Sequence, residues 1–267
     1  MLRVGIFKSG GLQYQYRDGI IYHLEKFGIS VDNDEKVGLI RELMLVPYHG
    51  INDITYRMKD VSSATSIKDL IYNAAWFKSV GASAVAIPHG MVNIHANAIE
   101  EEVGIHVIRP ATGIANEAKA QGLKRIALIG TKAIMESPTI KHILEMHGIE
   151  VVVPDELMRT EVFDPLIRGY IDGSYSRDNV KDLLTLAMIN LDQKKYGKIE
   201  GCVLACTALK DILKGAQFNL PLLEITDLHQ KDIAQRMINS MTHEEAEVLG
   251  LHKEDLKNLK TSSTFSL

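Results

Sequence analysis

Two residues of this 267-residue sequence stand where side chains do proton-transfer or nucleophilic chemistry, Cys206 and His89. The stretch EGCVLACTAL (200–209) runs from a small residue through four apolar positions and then meets Cys206; GASAVAIPHG (81–90) has the same design and ends at His89. A thiolate is the reactive form of cysteine, and its pKa falls beside a helix N-terminus or a cation. With a helix predicted from Thr207, the sulfur would sit close to free backbone N–H groups. An imidazole between Pro88 and Gly90 can accept or donate a proton near neutral pH. Cys202, inside the same apolar run as Cys206, reads as a small buried hydrophobe. His95 is a weaker candidate than His89, which is set apart from the other histidines by matching the position of Cys206.

Two loops supply anion-binding chemistry. KSGG (8–11) follows the first apolar run and offers Ser9, Gly10 and Gly11; IGTKAIMES (129–137) follows another and offers Thr131, Lys132 and Ser137. A turn that opens a helix presents backbone N–H groups to an anion, although each loop also reads as ordinary strand-to-helix turn chemistry. Neither contains a GxGxxG or Walker pattern, so no nucleotide is implied. No metal is implied either: CVLAC has the wrong spacing for a zinc knuckle, and His49, His89 and His95 form no HExxH. Two such loops with a Cys/His pair point to a small carboxylate ligand. TYRMK (55–59), Tyr14 and Tyr16 could line its site or lie on plain surface.

The elements that must position these residues follow an α/β pattern. Short apolar runs at 2–7, 42–46, 83–87, 105–108, 125–129, 149–153, 202–205 and 221–224 predict strands covered on both faces, as in parallel sheets. Helical patterns lie between them, near 14–27, 66–80, 93–102, 110–121, 136–147, 177–195, 207–214 and 226–240, which calls for right-handed crossovers. His89 and Cys206 therefore fall at carboxyl ends of strands, where open α/β sheets bind ligands. They are 117 residues apart, about one small α/β domain, so the chain reads as two similar halves with a site at their interface. The boundaries read as 1–112, 113–225 and a final 226–267, in which a helix returns to the first half. The charged, Ser/Thr-ended tail 241–267 reads as a short surface helix with a frayed end.

Composition excludes several classes. Apolar residues make up 46% and charged residues 24%, an ordinary globular balance. A net charge of −4 gives no electrostatic reason for a nucleic acid or anionic membrane partner. No apolar run approaches the ~20 residues that span a bilayer, and the N-terminus reads as a strand and turn rather than a secretory signal. Two cysteines make no disulfide framework and fit a reduced, cytoplasmic setting.

Taken together, these residues resemble the aspartate/glutamate racemase superfamily over most of 1–240. IALIGTKAIMESPTIKHILEMHGIEVVVPDE (126–156) is similar to that family's GT-loop, helix and strand; ACTAL matches its second cysteine motif at Cys206 and Thr207; KSGG and LPLLEITDLH (220–229) resemble its glycine loop and closing strand and helix. The departures are specific. Where the family reads PCNTAH, this sequence reads PHGMVN: His89 takes the cysteine position, and Gly90 and Met91 replace the Asn and Thr that hold a carboxylate. Ile54 stands where an arginine is expected, with Arg57 nearby; the second basic residue is missing from DPLIRGYIDG, with Arg168 close; and Ala208 replaces a glutamate.

The resemblance implies two α/β halves and a cofactor-independent amino-acid racemase, with aspartate or glutamate as candidate substrates and a homodimer as the assembly. It places Cys206 and His89 as the two bases that remove and return the Cα proton. Ser9, Gly10, Gly11, Gly90, Thr131, Lys132, Ser137 and Thr207 would bind the substrate and its developing enediolate charge. Two rival functions fit the same residues: a non-catalytic carboxylate-binding protein on this scaffold, and a single-cysteine decarboxylase of malonate-type substrates.

Overall fold

A computed structural model of the protein describes residues 1–9, 12–46, 64–189, 191 and 196–262. Among the described residues, eight strands coincide with the eight predicted runs, the seventh starting one residue early at Gly201, and form two four-stranded parallel sheets. The first contains β1 (Val4–Ile6), β2 (Met44–Leu45), β3 (Ala84–Ala86) and β4 (His106–Ile108), in the order β2-β1-β3-β4. The second contains β5 (Arg125–Ile129), β6 (Glu150–Val152), β7 (Gly201–Leu204) and β8 (Leu222–Glu224), in the order β6-β5-β7-β8. The two sheets share one permutation, so the fold is α/β with two similar halves.

The chain divides into two compact units, one made of Met1–Arg109 with His229–Leu267 and the other of Pro110–Leu228. In the first, alternate strand residues go to opposite faces, as the two-residue period of a strand requires. Val4, Ile6, Ala84, Ala86 and Ile108 join Tyr16, Ile20 and Leu24 of α1 (Leu12–Lys26) in one core cluster. Val85 and Val107 join Leu70 and Phe77 of α3 (Ala64–Ser79) and Ile99 of α4 (Ala96–Val103) in another. Gly5 lies on this second face because a Cβ there would collide with the Phe77 ring. In the second unit, Ala127, Ile129, Cys202 and Leu204 pack with Phe163, Ile167 and Leu184. Its helices include α5 (Pro110–Ala120), α6 (Lys132–Glu136), α7 (Pro138–Met146), α8 (Asp164–Ile171), α9 (Arg177–Ile189) and α10 (Thr207–Ile212). The helix α11 (Ile225–Ser240) begins in this unit and continues into the first. Among the described residues, no helix is long and apolar enough to cross a membrane.

Four expectations change. The helix predicted over 136–147 is two helices, because Pro138 biases Ser137 away from helical backbone; Ser137 is extended (φ −69°, ψ 132°) and caps α7, accepting from the Thr139 N–H at 3.4 Å. The stretch predicted from 93 opens earlier, as a 3-10 helix over Gly90–His95 before α4. A helix α2 (Asp34–Glu42), capped by Asn33, was not apparent from periodicity because Ile40 is its one fully buried residue. The tail is not a surface appendage. It forms α12 (His243–Val248) and α13 (Lys253–Ser262), and Ala246, Leu249, Leu251 and Leu256 enter the core beside Val4 and Ile6. A capping box between Thr242 and Glu245 starts α12.

Candidate active site

In the second unit, β7 is central, and its register aligns Ile129 of β5 with Leu204 and Leu204 with Glu224 of β8. The ladder continues one step further, the Ala205 N–H donating to the Ile129 carbonyl at 2.8 Å. Gly130 keeps this end closed down: a Cβ there would lie 3.2 Å from Ile134 Cγ2 and 3.5 Å from Ala205 Cβ. The chain then turns at Cys206, whose backbone is extended (φ −127°, ψ 132°), and α10 starts at Thr207. The sulfur is thus presented at the carboxyl end of a central strand, as the sequence pattern predicted.

Its electrostatics run against the sequence expectation. Burial pushes the Cys206 thiol above its ordinary value, opposed by the N–H groups of Ala208 and Leu209 and by the positive charge of Arg168. Desolvation therefore outweighs the helix terminus, and the resting group is a thiol. Cys202, fully buried, is pushed up to about 12 and is inert.

Thr131 heads α6, its carbonyl accepting from Ile134 and Met135 N–H at 3.0 Å each, while its hydroxyl makes no capping bond. Lys132 is already engaged: its Nζ donates to Thr160 Oγ1 at 3.1 Å and lies 3.9 Å from Glu136. Ser137 is occupied as the cap of α7. Asp164 is a residue that the sequence reading missed. One of its oxygens accepts from the Lys132 N–H and the other from Arg168 Nε, each at 2.7 Å, so a single carboxylate ties the Thr131 turn to the arginine that acts on Cys206. Asp164 follows a π-helical turn over Met158–Phe163, a rare geometry that gathers at functional sites. Asp-Pro at 164–165 is the signal for a helix start that would have located it.

In the first unit, the β1–β3 ladder likewise extends past the strands, the Phe7 N–H donating to the Ala86 carbonyl at 3.0 Å. His89 follows with extended backbone (φ −139°, ψ 114°) and leads into Gly90 and the 3-10 turn. Asn93, 4% exposed, ties that turn down: its Nδ2 donates to the carbonyls of His89 at 2.9 Å and Ile87 at 3.2 Å. His89 Nδ1 and Asn93 Oδ1 are buried and, among the described residues, have no hydrogen-bond partner. Burial lowers the His89 pKa, so its ring is neutral at pH 7. Ser9, fully buried, accepts through its carbonyl from the Leu12 N–H at 2.8 Å and donates its own N–H to Gln13 Oε1 at 3.0 Å. Tyr16 is a core residue, its hydroxyl paired with His229 Nδ1 at 3.2 Å, and Tyr14 lies under Arg17. Gly10, Gly11, His49, Ile54, Arg57 and the 55–59 segment lie outside the described residues.

The family model for Asp/Glu/Hydantoin racemase matches residues 43–233. The chain belongs to this racemase family. Among solved structures, it is similar to a Yersinia pestis protein provisionally assigned as an Asp/Glu racemase, at 20% identity and a TM-score of 0.74 over 88% of this chain and 99% of that one. An aspartate racemase homologue from Pyrococcus horikoshii OT3 gives 19% identity and a TM-score of 0.69, again over 88% and 99%. A glutamate racemase from Francisella tularensis in complex with D-glutamate gives 14% identity and a TM-score of 0.55 over 97% and 94%. At these identities the structural likeness establishes the shared fold, and the family match carries the relation to racemases.

Proposed function

We propose that this racemase-family protein is a cofactor-independent amino-acid racemase acting on aspartate or glutamate, with Cys206 and His89 exchanging the Cα proton. The observation that carries the reading is the presentation of Cys206 at the carboxyl end of a central strand, under the charge of Arg168, in a chain whose family match spans that strand.

The directions of the two pKa values suggest how a turnover starts. A neutral His89 imidazole and a protonated Cys206 thiol are the resting forms. In one direction, the imidazole takes the Cα proton and the thiol gives its proton to the opposite face, leaving imidazolium and thiolate. The reverse direction uses that second pair. The two residues belong to different units, and the proposal requires both to reach one carbon. Developing enediolate charge needs preorganised donors, a role that we assign to Ser9, Gly10, Gly11, Gly90, Thr131, Lys132 and Thr207. Ser137 is the weakest of the predicted donors because its hydroxyl is committed to α7.

The test is solvent deuterium uptake at Cα followed by NMR, with L- and D-aspartate, L- and D-glutamate and a 5-substituted hydantoin. Wild type is expected to exchange and invert an acidic amino acid, and Cys206→Ser to do neither. Inversion that survives in His89→Ala would refute the paired bases while leaving Cys206 in place. Exchange of the hydantoin alone would move the substrate class, and exchange of nothing would refute the racemase reading.

A further inference from the structure

Three polar residues follow the carboxyl ends of adjacent strands in the second sheet. Ile129, Leu204 and Glu224 are aligned across β5, β7 and β8, and two residues beyond each stand Thr131, Cys206 and Thr226. Neighbouring strands lie about 4.8 Å apart, so the three strand ends that lead into Thr131, Cys206 and Thr226 span roughly 10 Å. Thr226 lies in the first turn of α11, and its Oγ1 is buried with no hydrogen-bond partner among the described residues. A buried hydroxyl without a partner is costly and calls for an explanation. The Thr131 hydroxyl, after the strand on the other side of β7, makes no capping bond either.

We infer that Thr226 is a carboxylate-binding residue of the Cys206 site, its hydroxyl donating to a carboxylate oxygen of the molecule whose carbon lies at the sulfur. A carboxylate on a carbon that Sγ touches extends only two bonds away from it, toward the first helical turn that follows the adjoining strand. Three of the carboxylates near these residues are already engaged, while Asp227, next to Thr226, adds a negative charge felt at Glu224. The Glu224 carboxylate is paired with Lys210 Nζ at 2.8 Å, Asp164 is paired with Arg168, and Asp211 is engaged by Tyr170. Arg168 contributes the positive charge felt at the sulfur. This inference rests on the assignment of Cys206 as the reactive residue and adds to it a residue that sequence motifs did not mark.

Alkylation tests it without knowing the substrate. Iodoacetate and iodoacetamide react with the same thiolate, sulfur displacing iodide in each case, but iodoacetate alone carries a carboxylate on the attacked carbon. Their rate ratio therefore cancels the thiol pKa and reports carboxylate binding beside Cys206; Cys202 is too buried to contribute, and peptide mass mapping checks this. The wild-type ratio is expected to exceed that of 2-mercaptoethanol. Thr226→Val should lower it roughly tenfold or more, the effect of losing a hydrogen bond to a charged group, and Thr226→Ser should keep it. A ratio unchanged in Thr226→Val, or lowered equally in Thr226→Ser, would overturn the inference. Thr226→Ala serves as a second deletion of the hydroxyl if the valine variant does not fold. Because alkylation needs no turnover, a Thr226-dependent ratio with no Cα exchange would refute the racemase reading alone. Exchange abolished by Cys206→Ser, with a ratio indifferent to Thr226, would refute this inference alone.

Discussion

His229 sets a measurable acid limit on the first unit. Its ring is fully buried, with Nε2 donating to the Ile108 carbonyl at 2.8 Å and Nδ1 accepting from the Tyr16 hydroxyl at 3.2 Å. That pattern uses one proton and one lone pair, so the neutral tautomer is satisfied and a second proton would displace the tyrosine. Burial lowers the pKa from 6.5 to about 4, with the Ile108 carbonyl acting in the opposite direction. The unfolded chain binds this proton near pH 6.5 and the folded chain only near pH 4, so folding stability falls as pH drops through that window. The gap corresponds to roughly 3 kcal/mol of stability present above pH 6.5 and lost by about pH 4. His89, also lowered, acts in the same direction, so wild type must be compared with His229→Gln, which keeps every other titrating group. Urea unfolding at steps between pH 7.5 and pH 4 is the assay. The substitution itself should destabilise the protein at neutral pH, and the difference from wild type should shrink by up to roughly 3 kcal/mol toward acid. Parallel pH profiles for the two proteins would refute the reasoning, because they would mean that His229 gains its proton equally in both states.

Two further outcomes are expected. Leu256→Ala, in the last helix, should cost about 2–5 kcal/mol in urea unfolding, as for a fully buried leucine; a change within about 0.5 kcal/mol would mean that the tail is a surface appendage after all. Arg168→Gln should move the pH midpoint of Cys206 alkylation by iodoacetamide upward, since it removes the positive charge acting on the thiol and leaves Asp164 unpaired. The movement should fade in high salt because the arginine is largely exposed, and an unmoved midpoint at low salt would exclude Arg168 as a tuning group.

Strands were legible because they are short, mostly apolar runs, several of them buried on both faces, a pattern that periodicity reads directly; β5 matches its predicted span at both ends. Cys206 was legible because it follows such a run, and its local geometry depends on neighbours in sequence. The balance of forces at its sulfur was not. Helix-terminus reasoning predicts a lowered thiol pKa, whereas the observed shift is upward because desolvation depends on packing from α8 and α10, which no local pattern encodes. Asp164, Asn93 and Thr226 escaped for a related reason: each matters through a partner, or the lack of one, set by distant chain. The tail was misread because its charges dominate composition, while Ala246, Leu249, Leu251 and Leu256 form a narrow apolar stripe that only the returning chain path brings to the core.

That returning path has a consequence for how the molecule is born. The first unit is discontinuous, completed by His229–Leu267, and Ile233, Met237, Ile238 and Leu256 belong to the same buried cluster as Val4 and Ile6. During synthesis, every residue of Pro110–Leu228 is available before nearly half of that buried cluster has been made. The middle of the chain can therefore fold while the ribosome is still working, whereas the first unit keeps an apolar face exposed until His229–Leu267 has been made. Domains usually mature in the order of translation; here the order is inverted, and the unit carrying His89 is the last to become competent.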